Sequence, residues 1–224
     1  MIIVISVGGS VLMSDFNSGR VKDFAAEMEK LAAEHQVFVV VGGGKIAREY
    51  IKLVRELGGD ETSCDYVGIE VTRTNAAVLA LAIKGAARKI PQDLKDAYEY
   101  SLNHSVVVMG GTFPGHTTDA VAALLAEYVN ADILLNATSV DGVYTADPLK
   151  EEGASRFEKI STRDLVEIVA QAEANAGSST VLDLLAAKII DRSKIKTMVF
   201  MGKPENIQKA LKGDMENIGT IIEP

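Results

Sequence analysis

The chain reads as short apolar runs separated by stretches of helical period. Runs at Ile2–Val7, Gln36–Val41, Val106–Met109, Ile133–Leu135, Thr197–Met201 and Ile218–Ile222 have the length of strands, and the last reads as a closing edge strand. Between the first two, Val21, Phe24, Ala25, Met28 and Leu31 recur on one helical face, which predicts a helix over 21–34. Further helices are predicted over 45–57, 65–84, 93–102, 118–129, 161–171, 178–193 and 204–212. Ser161 opens its helix as S-T-R-D, in the manner of a capping box, and Pro204 stands in the first turn of the last helix. Asp141-Gly142 is a strong turn signal and Asp147-Pro148 cannot sit in a central strand, so 141–148 reads as a projecting excursion. Nearly continuous apolar strands alternating with helices predict an α/β fold: a three-layer α/β/α sandwich around a mainly parallel sheet. No linker, repeat or low-complexity segment divides the chain, so 1–224 is expected to be one domain.

Three of the apolar runs stop at glycines: Gly8-Gly9-Ser10, Gly42-Gly43-Gly44 and Gly110-Gly111. A strand ending in a glycine turn that feeds a helix presents unpaired backbone N–H groups and the positive end of a helix dipole, which suits an anion. In a mainly parallel sheet ligands sit beyond the carboxyl ends of the strands, where all three turns fall. Three such junctions on one sheet point to a surface that holds several phosphates.

Composition narrows this picture. The chain has 224 residues, enough to bury roughly 70–75% of its unfolded surface in one core. Its net charge of −8 argues against a broad nucleic-acid or anionic-membrane contact but leaves room for phosphates held by backbone amides and a few local cations. A single cysteine, Cys64, excludes a disulfide framework within the chain and fits a reducing compartment. There is no Cys/His cluster with zinc spacing, no basic leader and no membrane-length apolar run, so a cytoplasmic protein is expected.

Which phosphate chemistry this is depends on the motifs. The P-loop pattern fails, because Gly44-Lys45 is followed by Ile46 and Val39 stands where the first glycine belongs. Protein-kinase Asp-Phe-Gly and His-Arg-Asp signatures are missing. Gly42 to Ala47 matches G-x-G-x-x-A, the dinucleotide fingerprint, but the acidic residues at the required distance, Asp60, Glu61 and Asp65, follow a helix and loop rather than a strand. That match also leaves the other two glycine turns without a role.

Five motifs occur in order: V-G-G-S from Val7, V-V-G-G-G-K from Val40, D-Y-V-G-I-E-V-T-R-T-N from Asp65, M-G-G-T-F-P-G-H-T-T-D-A from Met109 and T-S-V-D-G-V-Y-T-A-D-P from Thr138. Together, over essentially the whole chain, they resemble the amino acid kinase family. D-x-x-G at Asp65 with G-G-T and T-T-D-A further resembles its archaeal-type branch, which phosphorylates UMP. The resemblance implies the sandwich fold and transfer of the γ-phosphoryl group of ATP to UMP with Mg²⁺, giving UDP in the pyrimidine nucleotide route to CTP. It implies an acceptor-binding half over about residues 1–130, an ATP-binding half over about residues 131–224, and a homohexamer built from dimers.

By the same resemblance, Gly43, Asp65 and the loop Phe113, Pro114, Gly115, His116, Thr117, Thr118 and Asp119 bind UMP, with Asp65 on the ribose hydroxyls. Gly9, Ser10, Gly44, Arg48, Thr138, Tyr144 and Asp147 bind ATP. One departure stands out: many members carry a lysine two residues before the first glycine of the N-terminal turn, and here that residue is Ser6. Lys188 is the first candidate for the missing charge and Lys45 the second, with Asp183 orienting this part of the site. Mg²⁺ is expected to be held mainly by ATP oxygens and water.

Each of these residues also has a plainer reading. Glycine pairs at strand ends serve tight turns, Lys188 can be a solvated helix lysine, and Lys45 and Arg48 can pair with Glu49. Asp65, Thr118 and Asp119 can be helix caps, Asp147 can start a turn, and Tyr144 can simply pack. His116 is expected to shape its loop, since this chemistry needs no base. Thr72, Arg73 and Asn75 read equally as substrate contacts or subunit contacts. The rival functions are another small-acceptor kinase of the family, acting on a carboxylate, carbamate or isoprenoid phosphate, and a nucleotide-binding regulatory protein without catalysis. The His that isopentenyl phosphate kinases carry after the second glycine turn is absent here, where Lys45-Ile46-Ala47 follows Gly44.

Overall fold

A computed structural model describes residues 1–146, 151, 153–174 and 181–224. In it the apolar runs become β1 (Ile2–Val7), β2 (Gln36–Val41), β3 (Val106–Met109), β4 (Ile133–Thr138), β6 (Thr197–Met201) and β7 (Gly219–Glu223), with a further strand β5 (Lys159–Ser161). They form one sheet in the order β3-β2-β1-β4-β6-β7-β5. The strands β3, β2, β1, β4 and β6 run parallel, while β7 is antiparallel to β6 and β5 pairs parallel with β7.

Helices cover both faces. Odd-numbered residues of β1 and β2, such as Ile3, Ile5, Val37 and Val39, pack with Phe24 and Met28 of α2 (Ser18–Ala32), Leu79 of α4 (Glu61–Ala82) and Ile207 of α9 (Pro204–Lys212). On the other face Val4, Phe38 and Val40 meet Ala97 of α5 (Leu94–Ser101), Val121 and Leu125 of α6 (Thr118–Tyr128), Leu165 of α7 (Thr162–Ala174) and Ile189 of α8 (Leu184–Ser193). The alternation of side chains along each strand separates these two cores. The expected three-layer sandwich is thus present. The helix α3 (Gly44–Glu56) buries little of itself and leaves Tyr50 and Leu53 about half exposed.

Local signals set several boundaries. Ser161 and Asp164 form the reciprocal cap expected of S-T-R-D: Asp164 N–H donates to Ser161 Oγ at 3.0 Å and Ser161 N–H to Asp164 Oδ2 at 3.3 Å. Four expectations change. β4 runs three residues past Leu135, because Asn136, Ala137 and Thr138 stay in register with β6. β7 is internal, since β5 pairs along its outer side. The long helix begins at Glu61 and is capped by Asp60, which accepts from Ser63 N–H at 2.7 Å, so Asp65 is an internal helix residue. The helix predicted from 178 begins at Leu184, and 178–180 lie outside the described residues.

The sheet order also locates the switch point. After β1 the chain builds β2 and β3 on one side, then crosses to place β4 on the other. The crevice at the carboxyl ends of β1 and β4 is where such a sheet receives ligands.

Candidate active site

A cavity of about 200 Å³ occupies this crevice, lined by the ends of β1, β2 and β4 and the start of α6. That is below the roughly 300–1,000 Å³ of a site enclosing a whole drug-sized ligand, and suits the phosphate part of a nucleotide. Two glycine turns form its floor. Gly8 N–H donates to Ala137 O at 3.0 Å and Gly42 N–H to Val7 O at 2.9 Å, which fastens both turns to the strand ends. The turns then press together: a Cβ on Gly9 would fall within 3.0 Å of Gly44 N and Gly42 O. Gly44, at φ +64°, takes a conformation side-chain-bearing residues rarely adopt. α1 (Gly9–Leu12) and α3 start at these turns and α6 starts across the cavity, so amide-rich helix starts converge on one space.

The side chains around this floor come from separate elements. Arg48 of α3 donates to Ser10 Oγ of α1 at 3.2 Å and is the only basic residue lining the cavity among the described residues. Thr118, Asp119, Asn136, Thr138 and Ser139 complete the lining. Asp119 accepts from Ser6 Oγ at 2.8 Å and from Asn136 Nδ2 at 3.4 Å. Its carboxyl group is enclosed by protein although the residue keeps some access to the cavity. Burial pushes it up to about 6; the Ser6 hydroxyl pulls against this, Asp183 adds to it, and Asn136 again pulls it down.

The loop after β3 closes the adjoining side. Asp65 Oδ2 of α4 accepts from Gly115 N–H at 2.7 Å, and Gly115 takes φ +83° to make that approach. Phe113 is 63% exposed, beside His116 at a ring separation of 6.4 Å, and leaves an aromatic face free for a planar ligand. Thr117 caps α6 by accepting from Ala120 N–H at 3.1 Å, and its hydroxyl donates to Asp183, which caps α8 by accepting from Ala186 N–H at 2.9 Å.

Behind this loop, α4 ties the turns together. Thr72 Oγ1 accepts from Gly111 N–H at 2.7 Å, and Arg73 donates to Gly111 O at 3.2 Å and Thr112 O at 3.4 Å. Asn75 Nδ2 donates to Gly42 O at 2.9 Å. Thr72 and Asn75 are buried, and these bonds stay within the chain.

Not every expected residue comes to the cavity. Lys188 sits exposed on α8, one turn after exposed Leu185, and is not among the cavity's lining residues. Lys45 points to a neighbouring apolar groove with Met13, Phe16, Ile46 and Tyr50. Helix phase is the reason: Ala186, Ala187, Ile189 and Ile190 take the buried face of α8, which leaves position 188 outward. Tyr144 lies in the excursion after β4, where it donates to Asp141 Oδ1 at 2.8 Å; that bond holds its phenol above the usual range. Asp147 lies outside the described residues. Asn136 escaped the sequence reading, although a lone amide in the apolar run I-L-L-N-A-T is a signal that could have found it.

A model described as the amino acid kinase family matches residues 1–201. A uridylate kinase from Archaeoglobus fulgidus is 58% identical over 222 residues, which are 99% of this chain and all of that protein. The crystal structure of uridylate kinase from that organism superposes with a TM-score of 0.90 at 56% identity, covering 99% of this chain and 100% of the other. A UMP kinase from Ureaplasma parvum has a TM-score of 0.80 at 25% identity, over 100% and 99% of the two chains.

Proposed function

The chain belongs to the amino acid kinase family, and we propose that it transfers the γ-phosphoryl group of ATP to UMP, giving ADP and UDP. The observation that carries this reading is the full-length likeness to a uridylate kinase; the glycine-floored cavity is chemically suited to it.

We assign the UMP side to Gly43, Asp65 and the loop Phe113 to Asp119, with Phe113 against the base and Asp65 near the ribose. Asp65 is the acceptor a pair of ribose hydroxyls needs, and its bond to Gly115 orients the loop beside it. ATP phosphates lie on Gly9, Ser10 and Gly44, with Thr138 toward the nucleoside and Tyr144 beyond. This divides the chain into an acceptor half before about residue 130 and an ATP half after it. The charge at the transferred phosphoryl group falls to Arg48, the one basic residue lining the cavity among the described residues, rather than to Lys188 or Lys45. Asp183, bonded to Thr117, orients the junction of α6 and α8.

A phosphate oxygen of UMP is already anionic near neutral pH, so the reaction needs no general base. Catalysis rests on in-line positioning of acceptor and donor and on charge stabilisation by glycine amides and Arg48, which are in place before reaction. A Mg²⁺ ion brought with ATP would supply charge neutralisation at the phosphates. Asp119 and Asn136 at the cavity wall are oxygen donors suited to such an ion's water shell.

We further assign a homo-oligomer in the cytoplasm, a homohexamer by family resemblance. Exposed Phe16, Tyr50 and Leu53 beside one groove support a covered surface there. A coupled assay of ADP release with UMP, CMP, carbamate and isopentenyl phosphate tests the activity. UMP is expected to turn over best; turnover with CMP but not UMP, or with none of the four, overturns it.

A further inference from the structure

Resting on the acceptor and donor sides assigned above, we propose that Thr72 and Asn75 are positioning residues that set the distance between the acceptor loop and the glycine turn at the transferred phosphoryl group. Neither side chain faces the cavity. Both lie on the buried side of α4, three residues apart and so on one helical face.

Thr72 stands between two turns that sequence places far apart. Its hydroxyl accepts from Gly111 N–H at 2.7 Å and donates to Ile69 O at 2.6 Å, so both of its roles are filled. Its methyl group faces the other turn: a Cβ on Gly43 would lie 3.5 Å from Thr72 Cγ2. A Cβ on Gly110 would fall within 3.0 Å of Thr72 Oγ1, so the helix and the end of β3 are already at closest approach. Asn75, nearly a turn further along, reaches Gly42 O at 2.9 Å and Gly43 O at 3.4 Å. One rigid helix therefore holds the Gly110–Thr112 strand end through a hydroxyl and the Gly42–Gly43 turn through a methyl and an amide.

Phosphoryl transfer makes this spacing count. The γ-phosphorus leaves the β-phosphate oxygen of ATP and bonds a phosphate oxygen of UMP in line, so the gap between the two holders enters the barrier directly. A misplacement of about 1 Å can cost on the order of 100-fold in rate. Thr72→Val keeps the volume and the methyl toward Gly43 but leaves the buried Gly111 N–H without its acceptor. Thr72→Ser keeps the acceptor and loses only the methyl.

The test measures kcat per folded protein, together with the dissociation constants of UMP and of a non-hydrolysable ATP analogue, for the natural enzyme and both variants. Thr72→Val is expected to lower kcat about 10- to 100-fold with both dissociation constants within about threefold, and Thr72→Ser to recover most of the loss. Retention of kcat in Thr72→Val, equal losses in both variants, or a loss confined to UMP affinity overturns the positioning role. If Thr72→Val does not fold, Asn75→Ser takes its place, with the same fall in kcat expected and retained kcat overturning the proposal. Failure of the natural enzyme to make UDP overturns the kinase reading itself, and this inference with it, whatever the variants do.

Discussion

The Ser6 hydroxyl donates to Asp119 Oδ1 at 2.8 Å, joining the penultimate residue of β1 to the first turn of α6 across 113 residues of chain. A neutral hydroxyl satisfies the carboxylate's geometry without cancelling its charge. Arg48 is the basic residue that lines the same cavity among the described residues, and the proposed reading places the charge for phosphoryl transfer there.

The uncompensated carboxylate titrates where it can be followed. Asp119 is pushed up, chiefly by burial, from 3.8 in its ordinary state to about 6 in the folded protein. The folded protein therefore binds this proton more tightly than the unfolded chain, and the group costs stability as pH rises from 3.8 to about 6, with no further change above. Asp119→Asn is expected to be stabilising relative to the natural protein at pH 7 by on the order of 2 kcal/mol, with the advantage shrinking as pH falls from about 6 to 3.8. Urea midpoints measured from pH 4 to pH 8 decide it; parallel curves for the two proteins would sink the idea.

Gly9→Ala tests the contact between the two turns. Its methyl would fall within 3.0 Å of backbone atoms of Gly42 and Gly44, and backbone cannot swing aside as a flexible side chain can. Overpacking of this kind costs about 1–3 kcal/mol, and the turns must part to accept it. Activity should fall by roughly two orders of magnitude even where the fold survives, because the amides assigned to the phosphates would be displaced. Normal turnover in a folded Gly9→Ala protein would show that the contact is only structural.

Arg48→Ala and Lys188→Ala discriminate between the two cations. Arg48 lines the cavity and Lys188 sits on the outward face of α8. Removing Arg48 should lower kcat about 100-fold or more, as loss of a preorganised charge donor does, while removing Lys188 should change it by less than about threefold. The opposite ranking would return the catalytic charge to α8.

Asp65→Ala separates the two substrates. Losing the carboxylate frees Gly115 N–H and removes the acceptor assigned to the ribose. The KM for UMP should rise about tenfold or more and that for ATP by less than about twofold, measured by varying each substrate at saturation of the other. Equal effects on both would place Asp65 in general stability rather than in acceptor binding.

The apolar runs determined most of the strands by themselves, because a strand buried on both faces must be nearly all apolar, and the stretches of helical period between them determined a parallel sheet covered on both sides. Glycine at the ends of β1 and β2 marked the crevice in advance, because such turns require small residues where they approach one another, as Gly9 and Gly44 do; the Gly110-Gly111 turn after β3 is not among its lining residues. Local caps were also legible, as Ser161 with Asp164, because both partners lie within one turn. What depends on pairing across the fold was not. β4 extends to Thr138 because β6 lies beside it, and β5 takes the edge from β7 through a register no local pattern records. Helix phase turned Lys188 outward and left Arg48 facing the cavity, although both are basic residues on helices near glycine-rich or capping segments. Nor does any local pattern record that Ser6 bonds Asp119, or that α4 sets Thr72 and Asn75 between two turns. A sequence specifies what each residue can bond; only the folded chain decides which partner comes within reach.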